Sequence, residues 1–176
     1  MRLYRVARPA SHRRHLGKTL AWMLLVWTLA LVALPAVLRT AERWLGVPTR
    51  HLPAGRAVGV VVLVAASALG VRCAFAMARG EGTPVPFDAA ARLVVAGPYR
   101  WVRNPMAVSG VSQALGVALL VGSPSYYLVP PAGALLWHLV IRPSEERFLL
   151  LRFGAPYARY RESVPLWVPA RLRWGR

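Results

Sequence analysis

Two adjacent carboxylates, Glu145 and Glu146, follow the last apolar run of a 176-residue chain that carries only six acidic residues. Neighbouring helical residues point about 100° apart, because a helix has 3.6 residues per turn. The two acids therefore cannot play the same part. One can face a cation while the other pairs with an arginine such as Arg103. Upstream, Gly97-Pro-Tyr-Arg-Trp-Val-Arg-Asn-Pro-Met106 feeds a turn into a helix start. The free N–H groups at such a start suit a ligand carboxylate or phosphate. An anion-binding pole and a cation-binding pole at one membrane level fit a zwitterionic, partly cationic ligand.

Each residue also has a plain architectural role. Asn104 before Pro105 reads as an N-cap followed by proline at the first helical position. Arg100 and Arg103 read as charges that anchor a helix end at lipid headgroups. Ser144 reads as an N-cap with Glu145 and Glu146 in the first turn, each favourable against the helix dipole by about 0.3–1 kcal/mol. Gly154 supplies the end of that helix. His138 reads first as a packed or hydrogen-bonded residue, and His12, His15 and His51 have no metal-ligand spacing. No metal site is expected. Cys73 is the only cysteine, so no internal disulfide forms. No glycine-rich phosphate loop and no Gly-x-Ser-x-Gly elbow occur.

The elements that must position these residues are apolar. Hydrophobic residues make up 56% of the chain, while the net charge is +17 and the sequence pI about 11.8. The two kinds of residue are blocked, not mixed. Residues 20–38 form a run of nineteen without a charge, long enough for a hydrocarbon core of about 30 Å. A second run covers 57–77, broken only by Arg72, whose side chain can snorkel. Runs 106–121 and 125–141 flank a tight Gly-Ser-Pro turn and must form an antiparallel hairpin, with Pro130 and Pro131 expected to kink the last. The expected fold is an all-α polytopic membrane bundle of about four transmembrane helices, ending in a C-terminal hairpin and a cytoplasmic amphipathic tail over 142–176. Residues 1–176 read as one domain.

Basic residues set the orientation. Six precede the first span, four lie between Met77 and Pro105 and eight follow Ile141, against four in the first loop. Both termini are therefore expected in the cytoplasm. Trp22, Trp44, Tyr126, Tyr127 and Trp167 fall near span ends and fit an interfacial belt. Arg159, Arg161, Arg171, Arg173 and Arg176, with Trp167 and Trp174, suit a tail lying on anionic membrane lipids. Lys18 stands against 22 arginines. That bias points to a GC-rich bacterial genome, and so to a bacterial inner membrane. Nucleic acid is not expected as a partner, because the basic residues flank spans instead of forming one face.

Gly97-Pro-Tyr-Arg-x-Val-Arg-Asn-Pro-Met106, then a membrane hairpin, then Glu145-Glu146 and Phe153-Gly-x-x-Tyr-x-x-Tyr-x-x-x-Val-Pro165, resembles the integral-membrane methyltransferases. That group includes isoprenylcysteine carboxyl methyltransferases and phospholipid N-methyltransferases. The resemblance covers roughly residues 57–169. It implies S-adenosylmethionine as methyl donor on the cytoplasmic side, and a small-molecule or lipidic methyl acceptor at the membrane surface. It assigns Gly97, Pro98, Tyr99, Val102, Arg103, Asn104, Pro105, Glu145 and Glu146 to the cofactor. Where the common pattern has His, Tyr and Gly, this chain has Asn104, Ala107 and Ser109. Asn104 donates and accepts hydrogen bonds but is no base near neutral pH.

Methyl transfer from a sulfonium needs mainly alignment, with a carboxylate to order the cofactor's ammonium or accept an acceptor proton. Glu145 or Glu146 fills that role, and Arg142 or Arg147 contacts an anionic acceptor. The competing expectations are an NADPH-dependent membrane reductase of similar architecture and a non-catalytic membrane protein that needs only the caps and flanks.

Overall fold

The computed structural model describes residues 5–6, 12–80, 88–89 and 91–169. Arg2, Arg8, Glu81, the tail residues Arg171, Arg173, Trp174 and Arg176, and the side chains of His12 and His15 lie outside the described residues. The described residues are overwhelmingly helical. Their one piece of sheet is a two-residue parallel bridge between β1 (Arg5–Val6) and β2 (Asp88–Ala89).

Helix α1 (His12–Trp27) runs through a π-helical segment, Thr28–Ala33, straight into α2 (Leu34–Trp44). Helix α3 spans Gly55–Arg79 and α4 spans Pro105–Val121. After the turn, α5 (Val129–Leu136) continues through a second π segment, Trp137–Ile141, into α6 (Arg142–Phe153). Helix α7 (Ala155–Ser163) follows Gly154. Two helices, Leu20–Trp44 and Gly55–Arg79, each 25 residues, are long and apolar enough to cross a membrane. Their outward faces carry exposed leucine and valine, as a lipid-facing surface requires.

The centre of the bundle is α3 against α4, which meet through small residues. Gly59 and Gly116 face one another so closely that a Cβ on Gly59 would lie 2.8 Å from the Gly116 carbonyl. The converse Cβ would lie 2.9 Å from the Gly59 carbonyl. Such contact brings polar groups together between the helices. Ser109 Oγ donates to the Ala66 carbonyl at 2.8 Å, and Gln113 Nε2 to Ser67 Oγ at 3.1 Å.

Several expectations are corrected. Pro130 and Pro131 lie in the first turn of α5 and not inside a helix already under way, so neither removes an intrahelical hydrogen bond there. The helix does not stop near residue 141 either; it continues to Phe153, so Glu145 and Glu146 lie well inside it. Ser144 is accordingly no N-cap, and its hydroxyl donates back to the Ile141 carbonyl at 2.7 Å. The first helix likewise runs past residue 38 to Trp44. Tyr126 is fully buried instead of interfacial, packed with Val117 and Ala118.

Two interior prolines, Pro35 and Pro143, are accommodated by one device. Before each, the chain shifts to the i−5 pattern: Leu34 N–H donates to the Leu29 carbonyl and Arg142 N–H to Trp137. In that register the prolines would have donated to Ala30 and His138. Side chains donate instead, Tyr126 Oη to Ala30 at 2.7 Å and Arg142 Nε to His138 at 3.1 Å. The first of these bonds ties the opening helix to the hairpin.

The bundle end beside the hairpin turn is closed by Glu42, a buried acid that no sequence motif marks. Its Oε1 accepts from Ser123 Oγ and from the Ser125 N–H, both at 2.8 Å, while Arg39 pairs with Oε2 at 2.5 Å.

Candidate functional site

The opposite end of the bundle gathers the residues singled out by their chemistry. Gly97 takes φ +61°, a left-handed turn that favours glycine, and starts the short 3₁₀ segment Gly97–Arg100. That turn buries Pro98 and Tyr99 and leaves Arg100 exposed, its guanidinium over the Trp101 ring. Val102 and Pro105 are also buried.

Asn104 caps α4, its Oδ1 accepting from the Ala107 N–H at 3.0 Å. Its Nδ2 donates across to Glu145 Oε2 at 3.1 Å. A side-chain amide serves both roles at once, one through oxygen and one through nitrogen. Cap and carboxylate are thereby fixed together.

The two acids are divided. Glu146 takes both arginines: Arg103 Nη1 donates to Oε1 at 2.6 Å and Arg142 Nη1 to Oε2 at 3.3 Å. Glu145 has Asn104 and, among the described residues, no cationic partner. Burial, reinforced by the Glu146 charge and partly offset by the Asn104 hydrogen bond, pushes the Glu145 carboxyl up to about 7. Arg103 Nε–H is buried and, among the described residues, has no acceptor. Arg147 is exposed to solvent.

Tyrosines from α7 close the site. Tyr157 is buried, and burial followed by the Glu146 charge pushes its phenol up to about 12. Tyr160 Oη donates to the Tyr99 carbonyl at 2.7 Å, locking α7 onto the 3₁₀ turn. Past α7, the segment 164–168 crosses back so that Pro165 O accepts from the Arg103 N–H at 2.9 Å. Trp167 Nε1 donates to His138 Nδ1 at 3.2 Å. In the sequence, Tyr157, Tyr160 and Pro165 stand only as spacing in a motif, with no structural role attached. Their regular Tyr-x-x-Tyr spacing was the available signal, since it puts two phenols on one helix face.

An almost wholly helical set of described residues, with membrane-length spans and a polar site at one end, defines a class, the helical membrane enzymes. Residues 55–155 match the phospholipid methyltransferase family, more than half of the 176 residues, and the chain belongs to that family. It is thus a membrane protein of a methyltransferase family. No curated protein matches the chain.

Proposed function

We propose that the protein transfers a methyl group from S-adenosylmethionine to a small or lipidic acceptor at the cytoplasmic surface of a bacterial inner membrane. In this reading it resembles the isoprenylcysteine carboxyl methyltransferases, with four spans and both termini in the cytoplasm. The observation that carries it is a complementary pair of groups unmet among the described residues: Glu145, held by Asn104, without a cation, and Arg103, held by Glu146, with its Nε–H without an acceptor. Among the described residues, these offer an ammonium site and a carboxylate site, which suits the amino-acid end of the cofactor.

When bound, the cofactor supplies an already activated methyl group. The chain supplies position and dryness. Arg103 and Glu145 hold the two charges, Gly97, Pro98, Tyr99, Val102 and Pro105 form the wall, and Asn104 keeps Glu145 in place. Glu146 fixes Arg103 and Arg142, and Arg142 borders the acceptor. Burial and the Glu146 charge hold the ligand-free Glu145 carboxyl up at about 7, and an ammonium beside it favours the ionised form, so cofactor binding and ionisation of Glu145 reinforce one another.

Titrating the detergent-purified protein with S-adenosylhomocysteine and, separately, NADPH tests the reading. Binding of the former, weakened at least about tenfold in Glu145→Gln and Arg103→Ala as expected for a lost charged contact, is the expected result. Binding of NADPH with none of S-adenosylhomocysteine would overturn it in favour of a reductase.

A further inference from the structure

The segment after α7 is tied into the candidate site through a closed circuit of contacts. Trp167 Nε1 donates to His138 Nδ1 at 3.2 Å, and the His138 carbonyl accepts from Arg142 Nε at 3.1 Å. Arg142 reaches Glu146 Oε2 at 3.3 Å, and Glu146 Oε1 takes Arg103 Nη1 at 2.6 Å. The Arg103 N–H donates to Pro165 O at 2.9 Å, which returns the circuit to a point two residues from Trp167.

Trp167 pins this strap to the helix. Its indole meets Trp137 edge-on, with centroids 5.0 Å apart, and lies nearly parallel to His138, 24° between planes at 6.3 Å. Both rings belong to the π segment whose shifted register leaves the His138 carbonyl to Arg142. The strap therefore bears on the pair from two directions: through Pro165 on the Arg103 backbone, and through His138 and Arg142 on Glu146.

We propose that Trp167, docked on His138, is a positioning residue for the cofactor's amino-acid end: it holds the strap that sets the Arg103 guanidinium against Glu146. This rests on the methyltransferase reading above. Trp167 touches neither Glu145 nor Arg103 side chain in any described contact, so its effect passes through Pro165 and His138. The unmet Nε–H of Arg103 faces its ligand only while the guanidinium is held in that plane, because the five donors of the group form a rigid fork. Releasing the strap frees that plane and leaves the apolar wall from Pro98 to Pro105 unchanged.

The test compares two ligands of the full chain in detergent. S-adenosylhomocysteine carries the amino-acid end, and 5′-methylthioadenosine lacks it. Trp167→Phe keeps an aromatic ring on Trp137 and removes the N–H; His138→Phe removes the acceptor. Each is expected to weaken S-adenosylhomocysteine about fivefold, the scale of one neutral hydrogen bond, and to leave methylthioadenosine unchanged. The double variant should be no weaker than either single one, because both remove the same bond. Equal weakening of both ligands would mean general damage to the bundle and overturn the proposal, as would unchanged binding of S-adenosylhomocysteine. If the wild type binds no S-adenosylhomocysteine, the methyltransferase reading fails, and this proposal fails with it.

Discussion

Replacing Glu145 by glutamine should make the ligand-free protein more stable, by an amount that depends on pH. The Glu145 carboxyl is raised from 4.5 to about 7 by burial first and the Glu146 charge second. A raised carboxyl binds more protons folded than unfolded between those values, so stability falls as pH rises through the window from about 4.5 to 7. At about 1.36 kcal/mol per tenfold change in proton affinity, the distance from 4.5 to about 7 corresponds to about 3 kcal/mol at pH 8 and above. The glutamine side chain keeps an oxygen for Asn104 Nδ2 and has no charge to desolvate. Denaturant unfolding of both forms in one detergent, at pH 4 and pH 8.5, reads the difference directly. The variant should exceed the wild type by about 3 kcal/mol at pH 8.5 and by close to nothing at pH 4. A wild type as stable as the variant at pH 8.5 would refute the reasoning, since it would mean the carboxylate is already compensated.

Three further outcomes follow from the same structure. Affinity for S-adenosylhomocysteine should fall as pH drops below about 7, by at most tenfold per pH unit, because protonated Glu145 no longer holds an ammonium; a flat profile from pH 5.5 to 8 contradicts this. Tyr126→Phe should cost about 1–3 kcal/mol by leaving the Ala30 carbonyl without its donor. Pro35→Ala restores an N–H in the same register, so the double variant should regain most of that loss in detergent unfolding. Glu42→Ala should cost about 3 kcal/mol or more, because it removes a buried acceptor shared by Ser123, Ser125 and Arg39. Ligand affinity measured on the folded fraction should stay unchanged, since Glu42 closes the end of the bundle away from the candidate site.

The helical class was readable from the sequence because apolar runs and flanking charges act over whole segments. The division between Glu145 and Glu146 was readable too, in outline, because helical geometry forbids two neighbours from facing the same partner. Which acid pairs with Arg103 depended on the helix register, and that register is altered by the π segment at Trp137–Ile141. No local pattern announces such a segment, although an interior proline at 143 following an unbroken apolar run is its residual sign. Ser144 and Pro130 are ambiguous in the sequence for a related reason. Both residue types mark helix starts, and only the continuity of α5 through α6 decides that one lies in the first turn and the other in the interior. Glu42 and Tyr126 eluded a local reading because their partners, Ser123 and Ala30, lie 81 and 96 residues away.

The most direct test of the account is methyl transfer itself. The protein, reconstituted in vesicles of bacterial lipid, is supplied with S-adenosylmethionine labelled on the methyl carbon, and label is followed into the lipid extract and into added small-molecule carboxylates, amines and thiols. The account predicts enzyme-dependent label in one of these fractions that disappears in Glu145→Gln and is inhibited by S-adenosylhomocysteine. Label absent from every fraction, together with no binding of S-adenosylhomocysteine, would contradict it.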